Sequence, residues 1–232
     1  MKSPLRQFLS ILAVATAAFA GPVAAQEYFD TDVDLPAYPE MQPVEGLPVY
    51  WAPAVDANYF FYDGLFWDFY NDGWYASPWY NGPWSYVDPV YVPTYVLWVP
   101  VRYYHHPAPY FHHGGGHDKP PRWGAHWGPH WQQAHNRVYA GQRPSQGERA
   151  PLPQYQRQFT RANYPRAAQQ QAQVHNQNYA WQPREQVVRQ QYQARGMQPQ
   201  GRIAQQQHPQ QPQQPQSAGG QGHHGGNEPR GR

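Results

Sequence analysis

The fold is decided by Tyr59-Phe60-Phe61-Tyr62-Asp63-Gly64-Leu65-Phe66-Trp67-Asp68-Phe69-Tyr70-Asn71-Asp72-Gly73-Trp74-Tyr75-Ala76-Ser77. Aromatic runs alternate with Asp-Gly and Asn-Asp-Gly. Aromatic side chains suit the pleated surface of a strand. Asp-Gly between two such runs marks a hairpin, because a tight turn needs positive φ. The stretch predicts three antiparallel strands, with Gly64 and Gly73 at positive φ. Asn81-Gly82-Pro83 predicts a further turn before Trp84-Ser85-Tyr86-Val87. Val49 to Ala52 and Val101 to Tyr104 are expected to flank the meander as strands. Pro89, Pro93 and Pro100 limit the chain between them to short edge strands or turns.

Working outward, residues 48–104 are expected to form a small all-β antiparallel meander with extended flanks, followed by a largely disordered tail with marginal helices. A segment of this size is small for a core without disulfides or metal. Its aromatic side chains compensate, since each buries on the order of 150–250 Å². Either the rings are all core, or some stay exposed as a flat binding face. By position number, Tyr59, Phe61, Leu65, Trp67 and Phe69 share one parity, and Phe60, Tyr62, Phe66 and Tyr70 the other. Both faces are then aromatic, and one small sheet buries only one face unless a layer covers the second.

Residues 1–25 read as a secretory signal: Lys2 and Arg6, the apolar run Phe8 to Ala20, and the small-x-small site Val23-Ala24-Ala25. Ala18-Phe19-Ala20 is a second possible site. The expected location is periplasmic or secreted, with Gln26 as the mature N-terminus. Cysteine is absent, which excludes disulfides, thiolate metal sites and cysteine catalysis. Val90 to Val101 is too short to span a bilayer and is broken by Pro93 and Pro100, so no transmembrane segment is expected in the mature chain. Residues 26–47 form an acidic, Pro-rich lead-in. Asp30-Thr31-Asp32-Val33-Asp34 begins like a calcium loop, but Leu35 stands where the turn glycine belongs and Met41 where the bidentate glutamate belongs.

Residues 105–140 are a His/Gly/Trp-rich linker containing Trp123-Gly124-Ala125-His126 and Trp127-Gly128-Pro129-His130. Gly124, Gly128 and Pro129 argue against a long helix there, although Pro129 suits the first turn of a helix running toward Tyr139. Residues 141–232 form a low-complexity Gln/Pro/Arg-rich tail, expected to be mostly mobile. Arg166 to Tyr179 and Arg184 to Arg195 lack internal Gly and Pro and predict marginal helices. Beyond Gly196 disorder is expected. Pro209, Pro212 and Pro215 share one face of a polyproline II helix.

The formal net charge of +2 conceals a split: residues 26–104 sum to −10 and residues 105–232 to +10. Such asymmetry predicts either a basic tail that seeks anionic partners or a tail that folds back on its own acidic half.

Asn81-Gly82-Pro83-Trp84, Pro100-Val101-Arg102-Tyr103-Tyr104, Pro121-Arg122-Trp123-Gly124 and Tyr179-Ala180-Trp181-Gln182-Pro183-Arg184-Glu185 together carry a family likeness. The chain resembles a group of uncharacterised, signal-peptide-bearing, Tyr/Trp-rich proteobacterial envelope proteins. The resemblance implies an exported protein with a short aromatic domain and an arginine-rich tail, and it transfers no activity. His112-His113-Gly114-Gly115-Gly116-His117 is similar to the copper-binding octarepeats of prion protein, without their following tryptophan and without repetition.

Three functions follow. A non-enzymatic envelope protein would anchor through the aromatic domain and contact anionic envelope polymer through Arg157, Arg161, Arg166, Arg184, Arg189 and Arg195. Arginine pairs with phosphate bidentately, and the interleaved Tyr155, Phe159, Tyr164, Tyr179, Trp181 and Tyr192 would stack. Nucleic acid is not an expected partner in that compartment. A metal-buffering protein would use His105, His106, His112, His113, His117, His126, His130 and His135, whose imidazoles suit copper, nickel and zinc; the alternative is a solvated linker. The third function is a spacer without a specific ligand. Catalysis is not expected. Asp63 and Asp72 are explained as turn residues, and Ser77 and Ser85 lack a nucleophile-elbow context.

Overall fold

The computed structural model describes residues 27–112, 116–136, 144 and 147–198. The expected signal segment, His113 and the chain from residue 199 onward, including Pro209, Pro212 and Pro215, lie outside the described residues. Among those described, strands β1 (Gln42–Pro43), β2 (Tyr50–Trp51), β3 (Tyr59–Tyr62), β4 (Leu65–Tyr70), β5 (Gly73–Ser77) and β6 (Ser85–Val87) form one six-stranded antiparallel sheet in sequence order. The helices are α1 (Thr94–Leu97), α2 (Trp123–Ala134), α3 (Ala168–Asn178) and α4 (Gln186–Ala194).

Two tight turns set the register. Asp63 and Gly64 have φ of 52° and 94°, so both central residues of the β3–β4 turn are left-handed, the twist that hairpins favour. In the β4–β5 turn positive φ falls on Asn71 and Asp72, at 45° and 62°. Gly73 already belongs to β5, opposite Tyr70, which corrects the assignment of positive φ to it. The expected strand Val101 to Tyr104 is instead a 3₁₀ turn over Val101–Tyr103. Its Val101 and Arg102 amides donate to Lys119 and His117 carbonyls outside the sheet.

The register also corrects the grouping of faces. Phe60 lies opposite Trp67 and Tyr62 opposite Leu65, so parity changes sign across the two-residue turn. One face carries Phe60, Tyr62, Leu65, Trp67, Phe69, Trp74, Ala76 and Val87. The other carries Tyr59, Phe61, Phe66, Asp68 and Tyr75.

Both faces are covered. Over the first lie Val92, Val96, Leu97, Val99, Tyr104, Phe111, Trp123 and Trp131, joined by Val188, Tyr192 and Met197. Trp123 and Trp131 donate through Nε1 to Leu97 O and Pro89 O, at 2.9 and 3.0 Å. α2 kinks at Gly128 (φ 78°), and Pro129 opens its second half. Over the second face lie Val33, Ala52, Val55, Ala57, Tyr80, Trp84, Ala150 and Tyr179. The rings of β3 and β4 are therefore core rather than a flat exposed face, and the exposed aromatic surface of the sheet narrows to Tyr86 of β6 and, in part, its partner Tyr75.

The folded region is consequently wider than residues 48–104. β1 belongs to the lead-in, and residues 147–198 form part of the covering layer rather than a mobile stretch. The marginal helices expected there are α3 and α4, and their stability is tertiary. Each buried Tyr or Val adds about 1.5–3 kcal/mol of transfer free energy. Isolated in a Gln-rich sequence, such residues look too sparse to order a chain. They do so because the sheet presents a preformed apolar surface for each to cover.

Candidate functional site

The tail is fastened by a few buried polar groups. Asp63, 2 % exposed, accepts from Trp181 Nε1 (3.0 Å), from the Arg184 amide (2.8 Å to Oδ2) and from the Glu185 amide (2.7 Å). The hairpin turn thus grips the chain just ahead of α4. Burial raises the Asp63 pKa, and the donors from Glu185, Arg184 and Trp181 pull it back. Tyr62 donates to Glu185 Oε1 at 2.9 Å, and Tyr192 to Gly64 O at 3.1 Å. Gln156, fully buried, donates to Pro78 O and accepts from the Tyr80 amide, at 2.8 and 3.0 Å. It replaces backbone partners for the turn after β5. Nothing in the sequence around Gln156 distinguishes it from its neighbouring glutamines.

The six arginines separate into different environments. Arg157, Arg161 and Arg166 are exposed, on a segment whose inward residues are Tyr155, Gln156, Phe159 and Tyr164. Arg157 lies 5.8 Å from the Tyr38 ring centroid, and Arg161 pairs with Asp34 at 2.9 Å. Arg184 pairs with Glu148. Arg189 donates to the carbonyls of Pro183 and Arg184. Arg195 is 4 % exposed, so it cannot reach a polymer at the surface. The fold-back expectation for the charge split holds for Arg161 and Arg184, which neutralise acids of this chain, while Arg157 and Arg166 have no carboxylate partner among the described residues. The tail aromatics expected to stack on a ligand are engaged in packing instead; Tyr155, Phe159 and Tyr164 all pack edge-on against Trp79.

The histidines are dispersed. His105 lies near Trp51, with centroids 6.0 Å apart. His106 pairs with Asp56 at 2.9 Å, and its backbone is held by Asn58. His117 contributes its carbonyl to the Arg102 amide, and His130 is exposed. His135 meets Val90 O at 2.9 Å, and burial lowers its pKa. The His112 side chain is outside the described residues. Among those described, no three or more His, Asp or Glu side chains converge as a metal site.

His126 has the most organised surroundings of this set. Its Nε2 lies 2.6 Å from Asp72 Oδ2. Tyr110 donates to the other Asp72 oxygen at 2.7 Å and stacks on the imidazole at 3.9 Å and 8°. The sequence offered Asp72 only as a turn residue. Its left-handed conformation is what projects the carboxylate toward α2.

Two buried titratable groups carry no signal in the sequence. Asp68 is fully buried, and neither carboxylate oxygen has a hydrogen-bond partner among the described residues. Burial, and then the negative charge of Asp32, push its pKa up to about 8; the nearby Thr31 hydroxyl and Phe69 amide offset only part of this. His175, 1 % exposed, lies in α3 against Tyr179 and Tyr192. Burial lowers its pKa to about 4. The alternation of β4 hides Asp68 among exposed-looking positions, because only the second covering layer makes its face internal.

No protein-family model, curated protein or solved structure matches this chain. No helix among the described residues is long and apolar enough to cross a membrane.

Proposed function

We propose that this is a non-enzymatic exported envelope protein whose covered aromatic sheet anchors an outer layer that contacts anionic polymer. The observation that carries the reading is the orientation of residues 155–166. Tyr155, Gln156, Phe159 and Tyr164 face inward, and Arg157, Arg161 and Arg166 stay exposed. Rigid display lowers the ordering cost that a loose tail would incur on binding. The export segment and the excess of arginine over acid in the tail support the setting.

The test is salt elution of the full chain from immobilised heparin and from immobilised lipopolysaccharide. Arg157→Gln, Arg161→Gln and Arg166→Gln together should elute at lower salt from both matrices, with a shallower salt dependence because fewer anionic groups are neutralised and fewer counterions released. Unchanged elution of the triple variant would falsify the proposal.

A second reading, transition-metal binding, is favoured by His126. A carboxylate on one imidazole nitrogen is the arrangement that orients metal-ligating histidines, and it leaves Nδ1 as the ligand atom. Copper titration should then lose its tightest step in His126→Ala and keep it in His130→Ala. Equal loss in both variants, or in neither, sinks this reading.

A further inference from the structure

Arg195 follows α4 and is 4 % exposed. Its Nη2 donates to Pro83 O at 2.9 Å and to Ser85 Oγ at 2.8 Å. The Tyr28 ring lies over the guanidinium, 5.0 Å from Cζ. Nε and Nη1 are buried without a hydrogen-bond partner among the described residues, and no carboxylate of those residues pairs with this arginine. Burial lowers its pKa to about 10, which leaves it charged at neutral pH. A buried cation with neither countercharge nor full hydrogen bonding is strongly destabilising, and such a group calls for a partner beyond those the described chain supplies.

Gln171 of α3 completes the surroundings. It is fully buried. Its Nε2 donates to Gly82 O at 3.1 Å, while its Oε1 is buried without a partner. Because Gly82 O only accepts, the amide orientation is fixed. Gln171 and Arg195 thus grip consecutive carbonyls, one with a spare acceptor and the other with spare charged donors. Guanidinium N–H groups match oxyanions. Phosphate adds what a carboxylate or sulfate lacks: with a second pKa of about 6 in its monoesters, it also offers a P–OH proton near neutral pH.

We infer that Arg195, with Ser85 and Gln171, binds a phosphate group beneath Tyr28. Tyr28, whose ring lies over the guanidinium, is itself 42 % exposed. The inference is independent of polymer contact, which uses the exposed arginines.

Isothermal titration of the full chain with inorganic phosphate, at ionic strength matched with chloride, decides it. Saturable one-site binding is expected. Arg195→Met should weaken it about tenfold or more, since a charge-assisted hydrogen bond contributes about 1.5–3 kcal/mol. Arg195→Lys, which keeps the charge and loses the fork, should fall between the two, and Lys119→Gln, at an exposed residue outside both proposed sites, should bind as the parent does. Glycerol phosphate binding as tightly as inorganic phosphate assigns the site to esters; binding by the inorganic ion alone assigns it to free phosphate. Three results overturn the inference: no saturable heat with the parent chain, undiminished binding in a folded Arg195→Met, or sulfate binding as tightly as phosphate. The parent titration stands even if Arg195→Met fails to fold.

Discussion

Replacing Asp68 by asparagine is expected to stabilise the fold at neutral pH and to leave acidic stability unchanged. In the folded chain the carboxyl keeps its proton up to about pH 8; in the unfolded chain it ionises near about 3.9. Between those values unfolding releases a proton that the folded state retains, so stability falls as pH rises. The contribution is complete below the unfolded pKa and lost once pH has passed the folded one. The slope is about 1.4 kcal/mol per pH unit, which accumulates to about 4 kcal/mol by pH 7. Asparagine is nearly isosteric and has no proton to lose. Asp68→Asn should therefore equal the parent near about pH 4 and exceed it by about 4 kcal/mol near pH 7. Urea unfolding followed by tryptophan fluorescence, repeated from about pH 4 to about pH 8, measures this. The quantity to read is the difference between variant and parent, because His175 tilts the parent's own profile the other way at acidic pH. A difference that stays flat with pH, or an Asp68→Asn chain weaker than the parent at neutral pH, refutes a buried protonated carboxyl.

His175 gives the opposite sign: its lowered pKa contributes stability above about 6.5 that is lost as pH falls toward about 4, so His175→Gln should flatten the acid limb of the urea profile. Gly64→Val should unfold the domain, since its φ of 94° excludes a β-branched residue and a Cβ there meets the Tyr192 hydroxyl. Gly73→Val should cost less, because only the rings of Tyr75 and Tyr86, each 3.3 Å from its Cβ, must move; near-UV circular dichroism separates the two outcomes. Asp63→Ala should cost about 3 kcal/mol or more by stranding the Arg184 and Glu185 amides, and trypsin should then cut at Arg184 well before the sheet unfolds. Limited trypsin digestion of the parent should leave a core reaching about Arg195, and a stable fragment ending at Arg102 would contradict the covering role of residues 147–198.

The meander is legible in the local sequence. Asp63-Gly64 and Asn71-Asp72 specify turns through local backbone sterics, and the aromatic runs between them have no other low-energy use than strands. α3 and α4 were legible for the same local reason, as windows free of Gly and Pro. The charge split was also legible, though not which arginines would pair within the chain.

Tertiary structure alone decided the rest. Pairing across the turn, not position number, placed Phe60 with Trp67. The covering layers turned Asp68 from a polar-face residue into a buried acid, Arg195 from a tail arginine into a buried cation, and Gln156 from one glutamine among many into the partner of a turn. Local sequence fixes φ, ψ and hydrophobic periodicity within a few residues. Burial and pKa depend on what arrives from residues about a hundred positions away, as Gln156 reaches Tyr80 and Glu185 reaches Asp63. No local pattern encodes that arrival, because it depends on which apolar surface the sheet leaves open.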